Sequence, residues 1–148
     1  MKISTKGRYG VRILLDLALH EKGEPRQLHD ISASQQISEK YISRLIIALR
    51  KAGMVRSIRG IHGGFQLAKK PSELTLLEVL EVMEGPISIV NCVKSPGKCK
   101  KSNQCATRDI WSRLNSEFRE SLRKITIQDI VVDGKNRNIE DILLDYCI

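Results

Sequence analysis

The strongest constraint on the fold is an amphipathic helix followed at once by two short strands. Residues 39–52 carry apolar side chains three or four positions apart, which predicts a helix with one buried face. That face consists of Ile42, Leu45, Ile46 and Leu49. Ser38 suits the N-cap of this helix and Gly53 suits its C-terminal stop. Residues 55–58 and 65–68 then alternate like strands around a glycine-containing loop, which predicts a hairpin.

Two further helices are predicted before this unit. Residues 8–21 have apolar side chains at helical spacing, and residues 22–25 end that helix. A short helix follows over residues 28–35, and residues 36–37 turn the chain. A hairpin directly after such a helix-turn-helix is a wing. The predicted fold class is therefore mainly α with a small β-hairpin, that is, a winged helix-turn-helix domain plus a long dimerisation helix.

Positive charge is concentrated in the first half of the chain. Residues 1–70 hold 14 Lys and Arg against 5 Asp and Glu, whereas residues 71–148 hold 11 against 12. A basic half joined to a nearly neutral half is typical of a polyanion-binding unit followed by a region of another function. Basic surfaces are also often merely solvated, so the DNA interpretation depends on the predicted shape as well as on the charge.

The third helix and the hairpin are predicted to contact duplex DNA. The exposed N-terminal half of this helix is polar, as a helix that enters the major groove by that end requires. A narrow minor groove attracts an inserted arginine, which suits a hairpin tip that carries arginine and histidine. The predicted DNA-binding residues are Lys40, Tyr41, Ser43 and Arg44 on the helix, and Arg56, Arg59 and His62 at the tip of the wing.

The longest helical pattern lies in the second half of the chain. A short apolar helix, with apolar residues from 74 to 82 and an end near residues 85–86, precedes it, and the long helix is predicted over residues 106–124. Its apolar stripe consists of Ile110, Trp111, Leu114, Phe118, Leu122 and Ile125, and Arg113, Glu117, Arg119, Glu120 and Arg123 face away. The stripe covers either its own domain or its copy in a second subunit. A protein that reads the major groove gains from two half-sites ~34 Å apart on the duplex, one for each subunit, and this favours a homodimer.

The chain is predicted to contain three units. They are a winged helix-turn-helix DNA-binding domain over residues 1–85, a cysteine-containing cluster-binding loop over residues 86–105, and a dimerisation helix with a C-terminal tail over residues 106–148. Within the last unit, the pattern predicts a short helical turn over residues 126–130, a polar loop over residues 134–138 and a tail helix over residues 139–148.

Three of the four cysteines lie in one short basic segment. Cys92, Cys99 and Cys105 stand among Pro, Gly, Ser, Asn and four lysines, where no core can form. This placement favours thiolates gathered for a metal or for redox chemistry. Their spacing is wider than that of zinc sites built from Cys-X-X-Cys pairs, and it suits an iron–sulfur cluster better. A disordered basic loop with incidental cysteines is the alternative.

Other function classes are disfavoured. The sequence has no apolar run long enough to span a membrane and no recognisable signal peptide, so a cytoplasmic protein without a membrane partner is predicted. It has no Cys-X-X-Cys, no glycine-rich phosphate loop before a helix and no Ser/His/Asp arrangement. The chain is therefore predicted not to be an enzyme.

Several blocks of the sequence point together to one known family. They are Lys2-Ile-Ser-Thr-Lys-Gly-Arg-Tyr-Gly10, Leu49-Arg-Lys-Ala-Gly-Met-Val55, Ser57-Ile-Arg-Gly60 and Glu84-Gly-Pro-Ile87. With Trp111, these blocks resemble the Rrf2 family of bacterial winged-helix regulators over nearly the whole chain. The resemblance implies a homodimeric transcription regulator that binds double-stranded DNA and has a long dimerisation helix.

The three cysteines are similar to those of the IscR-like branch, which regulates iron–sulfur biogenesis. That resemblance implies Cys92, Cys99 and Cys105 as ligands of an iron–sulfur cluster, 2Fe-2S rather than 4Fe-4S. In that branch a His three residues after the last Cys is the fourth ligand, and this chain has Arg108 there. A nitric-oxide-sensing branch uses a carboxylate near position 8, and this chain has Arg8.

Arginine offers no lone pair, so the fourth ligand stays open. The candidates are Cys147, Asp109, Asn103, an external thiol or water.

The opening block and the Glu84–Ile87 segment resemble more closely the CymR-like repressors of cysteine metabolism. That branch lacks the three-cysteine segment and binds cysteine synthase through a C-terminal tail ending in Ile. This chain also ends in Ile, after Tyr146 and Cys147. The alternative prediction is therefore a cysteine-metabolism repressor that acts with cysteine synthase and without a cluster.

Overall fold

The computed structural model describes residues 2–20 and 23–136. Its helices and strands are α1 (Thr5–Leu19), α2 (Leu28–Gln35), α3 (Glu39–Lys51), β1 (Val55–Ile58), β2 (Gly64–Leu67), α4 (Leu76–Glu84), α5 (Asn91–Lys94), α6 (Arg108–Lys124) and α7 (Ile127–Asn136). Single 3-10 turns occupy Pro71–Glu73, Pro96–Lys98 and Ser102–Gln104. A mainly helical chain with one antiparallel hairpin confirms the predicted fold class.

The first helix begins three residues before the predicted start and ends two residues before the predicted end. Ser4 caps it, because its Oγ accepts a hydrogen bond from the Gly7 amide at 3.3 Å. Its last turn closes where the His20 amide donates to the Asp16 carbonyl oxygen at 3.2 Å. The last residue of the predicted span 8–21 lies outside the described residues.

The helix-turn-helix forms where the sequence predicts it. Between α2 and α3, Gln36 adopts the left-handed conformation with a φ of 53°, which reverses the chain in a short space. The four predicted apolar residues of α3 are all buried. Ser38 stands at the N-cap position of α3, but its side chain makes no capping hydrogen bond among the described residues.

The hairpin carries a third short segment at its side. β1 and β2 pair with Val55 opposite Leu67, and β2 begins at Gly64, one residue before the predicted strand. The Arg26 amide donates to the Phe65 carbonyl oxygen at 2.9 Å, and the Phe65 amide donates to the Arg26 carbonyl oxygen at 2.8 Å. The chain before α2 is thereby fixed to the wing.

The fourth helix begins two residues after its predicted start and ends where predicted, with Gly85 at its C-cap. Thr75 Oγ1 accepts from the Glu78 amide at 3.3 Å, and Glu78 Oε2 accepts from the Thr75 amide at 3.1 Å. This capping box starts α4 at Leu76 rather than at residue 74. At the other end, Glu84 Oε1 accepts from the Ser4 amide at 2.9 Å, which joins the start of α1 to the end of α4.

The C-terminal part of the described chain extends one prediction and contradicts another. The helical turn predicted over residues 126–130 is the start of a longer helix, α7, which continues to Asn136 through the described part of the polar loop predicted over residues 134–138; residues 137 and 138 lie outside the described residues. Two causes are visible: Asp129 Oδ2 accepts from the Thr126 amide at 2.8 Å, and the first turns of α7 bury two apolar residues in the core against α1. Those residues are Ile127 and Val131.

The long helix begins at Arg108 and divides its predicted stripe between two environments. Leu122 is buried and Phe118 packs partly buried in a cluster with Leu77, Leu80 and Ile87 of the same chain. The remaining members of the stripe are exposed in the single chain: Ile110, Trp111, Leu114 and Ile125. Dimerisation through the exposed part stays a prediction.

One charged residue of α6 does not face away as predicted. Arg119 forms an ion pair with Glu81 of α4, and its guanidinium also donates to the Ile87 carbonyl oxygen at 3.0 Å. The arginine thus holds α6 against α4 rather than lying in solvent. Within the described residues, no helix is long and apolar enough to cross a membrane. The predicted tail helix over residues 139–148 lies outside them.

Candidate functional site

The exposed side of α3 carries three of the predicted contact residues on neighbouring turns. Lys40 and Arg44 are exposed and Ser43 is half-buried, on the side opposite the apolar face. Arg50 and Lys51 extend the positive charge through the last turn. The first half of α3 therefore presents charge and hydrogen-bonding groups, which is the arrangement needed at the floor and walls of a major groove.

The fourth predicted residue on this helix has a packing role. Tyr41 is half-buried, and its ring lies edge-on to that of Tyr9 with 5.9 Å between centroids and 76° between planes. The Arg12 guanidinium carbon lies 5.2 Å from the centroid of the Tyr9 ring. The aromatic contact joins α3 to α1, and the cation–π contact within α1 supports the Tyr9 ring.

A tight turn forms the tip of the wing. The Gly63 amide donates to the Gly60 carbonyl oxygen at 3.0 Å, and Gly60 adopts a φ of 116°, which favours glycine. Ile61 and His62 occupy the corner of this turn, and Arg59 precedes it. All three side chains are exposed. The predicted contact residues Arg59 and His62 are thus together at the tip.

Arg56 is not at the tip, which corrects the sequence-based placement. It lies on β1 opposite Gln66, and its guanidinium donates to Gln66 Oε1 at 3.2 Å. The strand register places it on the flank of the hairpin. From this position its exposed charge faces the side of the wing rather than its end.

A buried carboxylate positions the wing and the helices relative to one another. Asp16 is 0% exposed, and its Oδ1 accepts from Arg26 Nε at 2.9 Å. Its Oδ2 accepts from Gln35 Nε2 at 3.0 Å and from the Ser34 hydroxyl. Arg12 Nε in turn donates to Gln35 Oε1 at 3.0 Å. Because the backbone of Arg26 also pairs with the wing, one carboxylate connects α1, α2 and the hairpin.

Sequence reasoning missed an apolar residue on the exposed side of α3. Ile47 is 49% exposed, outside the buried stripe, and borders an open groove of about 460 Å³ between α3 and β1. The groove is lined by Ile47, Arg50, Lys51, Val55, Arg56 and Ser57. The signal was available: Ile47 follows Ser43 and Arg44 at helical spacing on the polar face.

The cysteine segment, residues 91–107, consists of α5 and two 3-10 turns. Its cysteines are free thiols: Cys92 and Cys99 are half-buried and Cys105 is exposed. Ser102 is the one buried residue of the segment. Between residues 2 and 136, with 21 and 22 left out, no three His, Cys, Asp or Glu side chains are close enough to bind one metal ion. The thiols thus have the donor chemistry of an iron–sulfur site, but this conformation does not gather them.

Cys105 has the perturbed thiol of the segment. The side-chain hydroxyl of Thr107, whose Oγ1 lies 3.4 Å from Cys105 Sγ, and then the Thr107 amide lower the pKa of this thiol. The backbone and charge of Arg108 contribute further lowering. The leading cause is therefore hydrogen bonding from the residues that start α6, rather than the surrounding lysines that the sequence suggested.

Arg108 has a structural contact in this segment. Its guanidinium donates to the Ser102 carbonyl oxygen at 3.3 Å, which ties the first turn of α6 to the last 3-10 turn. Arg8 is the other arginine at an expected ligand position, and its Nη2 donates to Thr5 Oγ1 at 3.4 Å. Neither guanidinium is available as a metal ligand.

With this geometry established, known proteins give a clear assignment. The family described as "Rrf2: Iron-dependent Transcriptional regulator" matches residues 3–133. The chain belongs to the Rrf2 family. Rrf2 regulators bind DNA and typically form dimers, so this chain is a DNA-binding transcription regulator.

Relatives from two branches of the Rrf2 family are similar to this chain to nearly the same degree. The HTH-type transcriptional regulator CymR of Bacillus subtilis is 38% identical over 137 residues, covering 91% of this chain and 94% of that protein. The HTH-type transcriptional regulator IscR of Aliivibrio salmonicida is 36% identical over 141 residues, covering 95% and 83%. The solved structure of B. subtilis CymR, the global cysteine regulator, superposes with a TM-score of 0.75 at 36% identity, covering 89% of this chain and 97% of that one. These comparisons confirm the winged-helix fold and the family.

Proposed function

We propose that this Rrf2 regulator is a homodimer that reads duplex DNA with α3 and the wing. We propose further that it senses iron–sulfur status through a cluster held by Cys92, Cys99 and Cys105, and controls genes of iron–sulfur biogenesis. One observation carries the second part: three free thiols share a basic segment that ends at α6, and Cys105 is exposed with a lowered pKa.

The DNA-reading part rests on two neighbouring positive surfaces. Lys40 and Arg44 lie on the first turns of α3, where a groove-reading helix makes its base contacts. Arg59 and His62 lie at the wing tip, where a hairpin meets the minor groove or the phosphate backbone. The Asp16 network joins α1 and α2 to the hairpin, and the contact between the Tyr9 and Tyr41 rings joins α1 to α3, which supports one preorganised unit.

The two surfaces make separable predictions. Arg59→Ala is expected to weaken operator binding by about 1–3 kcal/mol, the usual scale for a specific arginine contact. Lys40→Ala is expected to weaken specific and non-specific binding alike, as loss of a phosphate contact does. Fluorescence anisotropy with operator and scrambled duplexes at several salt concentrations measures both. Unchanged affinity in the Arg44→Ala, Arg59→Ala double variant would contradict the proposed reading face.

The cluster part rests on the donor chemistry of the segment. Thiolates are the ligands that iron–sulfur clusters require, and the lysines of the segment offset the negative charge that such a site accumulates. When bound, the cluster supplies a redox- and oxygen-sensitive group. Because the described conformation does not gather the three thiols, binding requires the segment to rearrange. A cysteine segment without a buried core permits that change at little cost.

The fourth ligand is the weakest element of the proposed site. Arg108 is engaged with Ser102 and has no lone pair to offer. Asp109 and Asn103 are exposed near the last cysteine, and Cys147 lies outside the described residues. We therefore propose a cluster with incomplete or exchangeable protein ligation, which makes it labile to oxygen.

Anaerobic reconstitution tests the cluster. Wild-type protein supplied with ferrous iron and sulfide is expected to develop visible absorption and to contain two iron and two sulfide per protomer, by analogy with the IscR-like branch. Single Cys→Ser variants at positions 92, 99 and 105 are expected to lose this absorption. Ser95→Ala, a change in the same segment that removes no thiol, is the matched control, and Cys147→Ser decides whether the tail takes part. Fully reduced protein that takes up no iron and sulfide contradicts the proposal.

The second candidate is a cysteine-metabolism repressor that acts with cysteine synthase and without a cluster. It is favoured by the 38% identity to B. subtilis CymR and by the dispersed thiols of the described conformation. Purified cysteine synthase that binds the full chain, and not a chain lacking the last three residues, would support it. Failure of reconstitution together with this binding would make it the better account.

A further inference from the structure

The tip of the wing presents a large apolar side chain directly to solvent. Ile61 is 92% exposed, more than any other large apolar residue in the described part of the chain. Most of the others lie on α3, α6 or α7, or on strand β1. A single exposed isoleucine needs no explanation by itself, but this one stands between two predicted DNA-contact residues, Arg59 and His62.

The backbone holds Ile61 in this position. The Gly63 amide closes the turn on the Gly60 carbonyl oxygen, and a Cβ on Gly63 would lie 2.4 Å from the Ile58 carbonyl oxygen. Gly60 has a φ of 116°, which side-chain-bearing residues rarely adopt. Both glycines are thus required by the turn, and the turn aims its corner away from the protein. Isoleucine itself is stiff at χ1, so little side-chain entropy is lost on contact.

We infer that Ile61 is an apolar contact to the minor groove of the operator, seated between deoxyribose rings while Arg59 enters beside it. Proteins that bind the minor groove often place an apolar side chain such as isoleucine in it, and the neighbouring cations draw the tip to the narrow, negative A·T groove. The inference rests on the DNA-reading face proposed above and adds a specificity-determining residue to it.

Salt dependence separates this apolar contact from a charged one. Ile61→Ala is expected to weaken operator binding about 10-fold, because about one isoleucine side chain of apolar surface stays in water. The slope of log affinity against log salt is expected to stay unchanged, since no phosphate contact is lost. Arg59→Ala, the matched variant two residues away, is expected to reduce that slope by about one. Ile61→Val, which keeps most of the apolar surface, is expected to retain most of the affinity.

Base analogues locate the contact in the minor groove. Replacing A·T by G·C beneath the wing puts an amino group in the minor groove, whereas inosine·C carries no such group there. The ratio of wild-type to Ile61→Ala affinity is expected to fall to near one on the G·C operator and to stay about 10 on the inosine operator.

The outcomes distinguish the inference from the reading face on which it rests. If Arg59→Ala weakens binding but Ile61→Ala does not, the apolar contact is refuted and the reading face stands. If neither variant weakens binding, both are refuted. An Ile61→Ala loss that is equal on all three operators refutes the minor-groove assignment, as does a loss of dimer in sedimentation, which would place Ile61 in a protein contact.

Discussion

The winged head (α1–α4 with the hairpin) and the cysteine segment hold their functional side chains in opposite ways. In the head, one buried carboxylate, Asp16, connects two helices and the wing, and aromatic contacts fix α3. In the cysteine segment, one-turn elements position the thiols, and Ser102 alone is buried. The proposed DNA-reading surface is preorganised, whereas the segment proposed to bind a cluster retains room to rearrange.

The largest expected difference between the two regions is in stability. Asp16→Ala leaves Arg26 partly buried without its carboxylate, and is expected to lower the free energy of unfolding by about 3–5 kcal/mol. Asp30→Ala is the control. The Asp30 side chain is 35% exposed and its Oδ1 lies 3.3 Å from His29 Nδ1, so its loss is expected to cost less than about 1 kcal/mol. Urea titration followed by circular dichroism measures both. Equal losses for the two variants would remove the proposed central role of Asp16.

The exposed half of α6 extends the comparison to assembly. Leu114→Asp is expected to weaken the dimer by about 2–4 kcal/mol, because it places a charge in the predicted seam. Phe118 is unsuitable for this test because it packs within its own chain. Sedimentation velocity at micromolar concentration, with the exposed Glu117→Gln as control, gives the result. A Leu114→Asp dimer as tight as the wild type would exclude this surface as the interface.

Glycine substitutions compare close packing with open space. In α1 a Cβ at Gly10 would lie 2.7 Å from Met83 Cγ, whereas Gly97 in the cysteine segment has nothing within 4 Å. Gly10→Ala is therefore expected to cost about 1–3 kcal/mol. Gly97→Ala is expected to leave stability unchanged or to raise it by up to about 1 kcal/mol. Thermal unfolding of the two variants side by side checks this, and a destabilised Gly97→Ala would show that the segment is more tightly packed than described.

The smallest expected effect concerns the thiol of Cys105. Its pKa is lowered chiefly by hydrogen bonds from Thr107. A larger fraction of this thiol is therefore thiolate at neutral pH than for an ordinary cysteine, and its alkylation rate rises with pH until that pKa is passed. Thr107→Val removes the leading cause, so the pKa rises and alkylation by iodoacetamide near pH 7 is expected to slow several-fold. Mass spectrometry follows each cysteine separately, with Cys92 as the internal reference. A rate at Cys105 that does not respond to Thr107 would refute the hydrogen bond as the cause.

Local periodicity predicted the head well, and the corrections have tertiary causes. The apolar stripe of α3 shows which side of the helix is buried. The glycine loop between two alternating segments indicates a hairpin, so both elements were predictable from local sequence. The sequence predicted only the first turn of α7, since Gly134 and its polar neighbours indicate a loop, and the packing of Ile127 and Val131 in the core is not visible in a local pattern. Arg119 was misplaced for the same reason: its partner Glu81 is 38 positions away.

The candidate site was predicted unevenly. The residue types on α3 and at the wing tip predicted the proposed reading face. The strand predicted over residues 55–58 already contained Arg56, so its position on the flank rather than the tip was overlooked. Ile61 was missed because an apolar residue at a turn corner suggests nothing until its exposure is known. The cysteine segment has no periodicity, so its composition indicates thiol chemistry but its geometry could not be predicted from the sequence.

Hydrogen exchange on the anaerobic protein, before and after reconstitution with iron and sulfide, tests the central claim most directly. The account predicts that amides of residues 91–107 exchange quickly in the free protein and become protected on reconstitution, whereas those of α1–α4 are protected throughout. The Cys99→Ser variant, treated identically, is expected to gain no protection. Protection of residues 91–107 that is already as strong as that of the head, or that does not change when iron and sulfide are bound, would contradict the account.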